Sequence, residues 1–338
     1  MNLKALKATA KAMVDGHKGL LAADESTGTI KKRLDSVGVE ATETNRRDYR
    51  ELLFSAKGIG QYVSGVILYN ETIRQKAKDG TTLVALLNRA GVIPGIKVDA
   101  GTKPLAGSPD ETVTEGLDGL AKRVEEYVGL GARFAKWRAV IKIGAAIPTA
   151  YCLDVNAHAL ARYARICQEG GLVPIVEPEV LMDGDHGIER CETVTAETLK
   201  IVFDALHRQG VALEGIILKP NMIVPGKACP KQASVDEVAE RTVASFRRVV
   251  PAAVPGIMFL SGGQSEVDAT RHLNAMNANH RGLPWPLSFS YGRALQESAL
   301  KNWKGQAANV AAAQSALLLR AKLNSAACHG AYQGEAAA

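Results

Sequence analysis

The chain has 338 residues, 46% apolar and 22% charged, with a formal net charge of +6. This supports a large buried core and excludes disordered or fibrous classes. Aromatic residues at 5% and positive charge spread along the chain argue against a nucleic-acid groove, and no apolar run reaches the length of a membrane span.

At the N-terminus Leu3, Leu6, Ala10, Met13 and Val14 recur at helical spacing, which predicts a docked amphipathic helix and no secretion signal. Short apolar, β-rich runs follow in order: LLAADES (20–26), YVSGVILY (62–69), GVIPGIKVD (91–99), ARFAKWR (132–138), GLVPIVEPE (171–179), EGIILKP (214–220), GIMFLSGG (256–263) and PLSFSYG (286–292). Helical patterns lie between them at 46–54, 157–168, 195–209 and 236–250. Eight strands alternating with helices predict a parallel sheet closed into a (β/α)8 TIM barrel, one domain over 1–338. An open doubly wound sheet would place Gly-x-Gly-x-x-Gly after the first strand, and none stands there. The small, polar, aperiodic stretch 324–338 is expected to be a mobile tail. Five cysteines without a Cys-x-x-Cys pair fit a reducing cytoplasm.

Barrel chemistry sits at the C-terminal ends of the strands. Those ends carry Asp24 and Ser26, Lys97 and Asp99, Lys136 and Arg138, Glu177 and Glu179, Lys219, Ser261 with Gly262 and Gly263, and Ser290 with Gly292 and Arg293. Paired residues two apart share one face of a strand. One lysine at a strand end is usually a rim charge reaching water. Three lysines and several carboxylates aimed into one mouth must instead shift one another's proton affinities.

Lys219 follows the apolar Ile216-Ile217-Leu218. Burial and a cationic neighbour, Lys136 or Arg138, favour the neutral amine that attacks a carbonyl. The expected chemistry is therefore a Schiff base, with Glu177 as general acid and base. SGGQS and SYGR follow the seventh and eighth strands, where barrels bind phosphate. The N–H groups of Gly262, Gly263 and Gly292 are expected to cradle an oxyanion, with Arg293 as its charge partner. Lys97, Ser26, Thr29, Arg33 and Arg138 offer a second set of donors, so a substrate with phosphate at both ends is expected. EPEVLMDGDHG (177–187) is a rival, oxygen-rich metal cluster, although no second histidine lies nearby.

Taken together, LLAADESTGTIKKRL, GIKVDAGTKPLAG, FAKWR, PIVEPE, LKPNM, FLSGGQSE and SFSYGRALQ resemble the class I fructose-1,6-bisphosphate aldolases over nearly the whole chain. The resemblance implies a cytoplasmic homotetramer of glycolysis and gluconeogenesis. It implies sugar phosphates as partners, neither nucleic acid nor membrane, and no cofactor or metal beyond a covalent imine through Lys219. It assigns Lys219 as the Schiff-base lysine, Glu177 with Glu179 as acid and base, Asp24 to the C4 hydroxyl, and Lys136 to the carbinolamine steps. Ser261, Gly262, Ser290, Gly292, Arg293 and Arg33 would hold the C1 phosphate, and Lys97, Arg138, Ser26 and Thr29 the C6 phosphate. Two departures stand out. Ala100 occupies a position where animal members often carry lysine, and Tyr332 is the sole tyrosine of the tail, where many members end in a tyrosine on a long arm. Beside this reading stand a metal-dependent aldolase or sugar-phosphate isomerase on the same barrel, and a basic scaffold as a secondary role. The preference between fructose 1,6-bisphosphate and fructose 1-phosphate is left open.

Overall fold

A computed structural model describes residues 1–335. Its first half runs α1 (Leu3–Val14), β1 (Gly19–Ala23), α2 (Thr27–Asp35), α3 (Glu43–Phe54), β2 (Val63–Leu68), α4 (Leu83–Arg89), β3 (Ile93–Lys97), β4 (Gly101–Leu105), β5 (Ser108–Glu115), α5 (Leu120–Gly129) and β6 (Phe134–Ile141). It continues with α6 (Ala150–Glu169), β7 (Val173–Val180), α7 (Ile188–Arg208), β8 (Ile217–Leu218), α8 (Val235–Val249), β9 (Ile257–Phe259), α9 (Glu266–Asn279), β10 (Leu287–Tyr291), α10 (Arg293–Trp303) and α11 (Val310–Ala327). Eight strands close a parallel barrel in the order β1-β10-β9-β8-β7-β6-β3-β2. The TIM barrel expected from the repeat is the fold observed.

Alternation along each strand sorts the side chains into two cores. Leu21, Ala23, Val66, Leu68, Ala135, Trp137 and Val176 face outward against the helices. Leu20, Ala22, Ile67, Phe134, Ile175, Ile217 and Met258 face inward and fill the barrel. The predicted N-terminal helix closes the barrel from below: Leu6, Ala10, Met13 and Val14 of α1 join that inner cluster. The inner layer is packed to contact, because Gly95 of β3 lies opposite Phe134 of β6.

Several expected boundaries need correction. The runs at 20–26, 214–220 and 256–263 overstate their strands, since the ladder ends at Ala23, Leu218 and Phe259 and residues beyond it line the mouth. β8 pairs only over Ile217–Leu218, because Pro220 has no N–H to donate. The path after it is held instead by Lys219 N–H to Val176 O (2.9 Å) and Leu260 N–H to Pro220 O (3.0 Å). β6 runs on to Ile141, so Lys136 lies inside its strand and not at its end.

The antiparallel hairpin β4–β5 was not foreseen, because it is largely exposed and carries no buried apolar run. It folds over the end of β6, where Thr114 Oγ1 donates to Arg138 O at 2.7 Å. The expected mobile tail is also corrected. Asn324–Ala327 complete α11. Beyond them Tyr332 N–H donates to Asn274 Oδ1 at 2.9 Å, and Arg320, buried against α9, pairs with Glu335. The last part of that predicted tail, 336–338, lies outside the described residues.

A methyl group on Gly95 would stand 2.1 Å from Phe134 Cε2. Gly95→Ala is therefore expected to destabilise the protein by about 1–3 kcal/mol through overpacking. Urea unfolding checks this, with a lowered midpoint at unchanged slope.

Candidate active site

The alternation that packs the barrel also builds the site. One step beyond Phe134, Ile175 and Ile217 on the same inward face come Lys136, Glu177 and Lys219. A second step along β6 and β7 brings Arg138 and Glu179. Asp24 follows Ala22 in the same way, just past the end of β1. An apolar floor thus carries a layer of charge, and above it opens a cavity of about 590 Å³. The structure brings Asp24, Ser26, Thr29, Arg33, Lys97, Lys136, Arg138, Glu177, Glu179, Lys219, Ser261, Gly262, Ser290, Gly292 and Arg293 together around it. Gly263, predicted with them, stands at its edge beside Arg293.

The centre is a cluster of four ionisable side chains. Glu177 Oε1 lies 3.1 Å from Lys219 Nζ, and Glu177 Oε2 lies 3.2 Å from Lys136 Nζ. Lys136 also donates to Asp24 Oδ2 at 3.0 Å. Both lysines and Glu177 are at most 5% exposed. Among the described residues Glu177 Oε2 accepts no aligned hydrogen bond, so its contact with Lys136 is Coulombic and leaves a lone pair for a further donor.

Burial alone would raise the Asp24 carboxyl, but Lys136, Lys219 and Lys97 together hold it down at about 2. Burial also opposes the charge on Lys136, yet Asp24, Glu177 and Asp99 outweigh it and push its pKa well above the ordinary lysine value. Asp24 is thus an anion and Lys136 a cation at neutral pH.

Lys219 is aimed by its neighbours. Asn221 Oδ1 accepts from Val180 N–H and its amide donates to Thr195 Oγ1, both at 3.0 Å, which ties the segment after β8 to β7 and α7.

The two ends of the cavity differ. On one side Lys97 pairs with Asp99 at 2.8 Å, Arg138 pairs with Glu179, and Ser26 Oγ lies 3.1 Å from Thr29 Oγ1. On the other side Gly262 and Gly263 take φ +61° and +98°, left-handed conformations that favour glycine and turn the backbone around a concave edge. The buried Ser290 hydroxyl there has no hydrogen-bond partner among the described residues. Arg293 has no acidic partner among the described residues, so this end carries uncompensated positive charge beside idle donors.

Sequence reasoning missed Glu25. Its side chain turns away from Asp24, pairs with Arg33, and accepts from Gln296 Nε2 at 3.0 Å. Fully buried Arg50 donates to Glu25 O at 2.8 Å and reaches Glu71 at 3.3 Å, so the set of Arg33 is braced from behind. Only the opposite strand parity of Glu25 hinted at this. Lys32, Thr102 and Gly101 also line the cavity unforeseen.

The rival metal cluster does not assemble. Glu177 and Glu179 face the mouth, Asp183 pairs with Lys227 at 3.2 Å, and Asp185 is exposed. Among the described residues no group of three or more His, Cys, Asp or Glu is close enough to hold a metal ion. Tyr332 lies in a separate surface cavity with Arg271 and Asn274. Burial and the carboxylate of Glu335 push its phenol up to about 12. No helix among the described residues is long and apolar enough to cross a membrane.

Comparison with known proteins finds one family over nearly the whole chain. The family profile described as fructose-bisphosphate aldolase class-I matches residues 5–338. A probable fructose-bisphosphate aldolase class 1 from Xanthomonas campestris is 58% identical over 335 residues, 99% of this chain and 100% of that protein. The cytosolic fructose-bisphosphate aldolase 6 of Arabidopsis thaliana is 58% identical over 94% of this chain and 89% of its own length. A Plasmodium falciparum fructose-bisphosphate aldolase, solved with TRAP and a small-molecule inhibitor, superposes with a TM-score of 0.97 at 51% identity, covering 98% of this chain and 96% of that one.

The depressed Asp24 pKa makes a stability prediction. A carboxyl at about 2 when folded, against an ordinary 3.8, adds stability that is present above about pH 4 and lost as pH falls through 2. Between pH 4 and pH 2 the unfolding free energy of Asp24→Asn should fall by about 2 kcal/mol less than that of the wild type. Urea titrations at stepped pH check this; parallel curves would contradict it.

Proposed function

The chain belongs to the class I fructose-bisphosphate aldolase family of carbon–carbon lyases, and from that premise we propose that its barrel mouth cleaves fructose 1,6-bisphosphate reversibly through an imine on Lys219. The observation that carries the reading is the buried Lys219 amine held 3.1 Å from Glu177 on an apolar floor, beside a permanently cationic Lys136. Arg33, Lys97 and Arg138 are each tied to an acid of their own, whereas the Lys219 amine shares its one carboxylate with Lys136. An amine with a carboxyl group beside it and apolar surface beneath it is where a substrate carbonyl could be attacked.

In this reading the Lys219 amine attacks the C2 ketone of the open-chain sugar. Glu177 supplies the proton that lets the carbinolamine lose water, and Lys136 stabilises the developing oxyanion. The protonated imine then accepts the electron pair of the C3–C4 bond. Asp24, an anion, holds the C4 hydroxyl while its proton passes to Glu177, and glyceraldehyde 3-phosphate departs. Protonation of the enamine at C3 and hydrolysis release dihydroxyacetone phosphate and return Lys219.

The uncompensated charge of Arg293, the idle Ser290 hydroxyl and the Gly262–Gly263 turn support a C1-phosphate site there. Lys97, Arg138, Ser26 and Thr29 support a C6-phosphate site across the mouth. The resident chemistry requires neither metal nor other cofactor. The cytosolic relatives support a cytoplasmic enzyme, and we extend to it the family's homotetramer.

Lys219→Arg should abolish turnover, since a guanidinium stays protonated and forms no imine. Glu177→Gln should lower kcat by about 10²–10⁴-fold. Steady-state cleavage assays check both, and a chelator should leave wild-type kcat unchanged. Retained turnover in Lys219→Arg, or loss of activity to the chelator, would sink the imine reading.

A further inference from the structure

Beyond β8 the chain doubles back at Gly226 and lies across the loop that follows β7. Gly226 N–H donates to His186 O, Lys227 N–H to Met182 O and Ala228 N–H to Gly184 O, each at 2.8 Å. Gly226 permits this close approach, because a Cβ there would stand 2.3 Å from Gly184 O. The backbone of Lys227 is therefore fixed, and with it the point from which its side chain departs.

That side chain leads to Gly263. A Cβ built on Gly263 would meet Lys227 Nζ at 2.6 Å and Arg293 Nη2 at 3.2 Å. Two cations, from segments following β8 and β10, thus converge over one left-handed glycine. The acid that pairs with Lys227 is Asp183, 3.2 Å from its Nζ, with its side chain 67% exposed. Like charges brought this close gain from a dianion placed between them. An ion pair so exposed is weak, so Lys227 can exchange partners at little cost.

We propose that Lys227 is a substrate-binding residue, whose ammonium group leaves Asp183 and joins Arg293 on a sugar phosphate seated at the Gly262–Gly263 turn. The inference rests on reading that turn as the C1-phosphate site. It adds a cation that the sequence pattern did not mark, because Lys227 lies eight positions past Lys219 in an irregular segment. Asp183 becomes a docking partner that holds the lysine at the rim of the empty site.

The test compares fructose 1-phosphate, which carries only the proposed phosphate, with the bisphosphate. Lys227→Met should raise KM for both by the same factor, about threefold to tenfold, with kcat within about twofold of wild type. Lys227→Arg should restore KM to within about twofold, and Asp183→Asn should leave KM at or below the wild-type value. An unchanged KM in Lys227→Met, a rise confined to the bisphosphate, or a rise in Asp183→Asn equal to that of Lys227→Met would overturn the proposal. Wild-type enzyme that cleaves neither sugar would overturn the parent reading instead, so the two failures are distinguishable.

Discussion

The site depends on one carboxylate shared by two buried lysines. Glu177 faces Lys219 with one oxygen and Lys136 with the other. Taking three ionisable groups out of water is costly, and their mutual proximity offsets part of the desolvation. Asp24 completes the balance with a second negative charge, so the layer holds two potential cations and two acids. Removing one member leaves the others buried and uncompensated, which makes the cluster a constraint on the fold as well as a site.

The barrel makes this arrangement possible at low cost. Inward residues two apart on β6, β7 and β8 first form an apolar layer, Phe134, Ile175 and Ile217, and then a charged one. The floor excludes water from beneath the lysines, and α1 seals the barrel from the other end. The same periodicity therefore sets the packing, the low polarity under Lys219 and the distances between acid and amine. Outside the cluster, Glu25 and Arg50 hold Arg33 in place from behind, and the paired Lys97–Asp99 and Arg138–Glu179 give the mouth a rigid rim.

Much of this was legible in the sequence where the signal is local. Alternation in GVIPGIKVD and PIVEPE fixes which side chains share a face, and the repeat of strand and helix fixes the closed barrel. Lys136, Glu177 and Lys219 follow from those two facts. What was not legible depends on partners far along the chain. Glu25 bonds to Gln296 and Arg50, and no spacing announces that. The β4–β5 hairpin is polar and largely exposed, and residues 328–335 are held by isolated polar contacts such as Tyr332 with Asn274 and Glu335 with Arg320, so neither leaves a hydrophobic pattern. Lys227 comes beside Gly263 from an irregular segment that Gly226 lets lie against the loop after β7.

The central claim is that the shared carboxylate divides the labour between two lysines, one carrying the substrate and one keeping its charge. Borohydride reduction in the presence of dihydroxyacetone phosphate, followed by peptide mass mapping, tests it most directly. The account predicts one reduced three-carbon phosphate adduct per chain on Lys219, and none on Lys136 even when Lys219 is replaced by arginine. An adduct on Lys136, or no adduct at all, would contradict it.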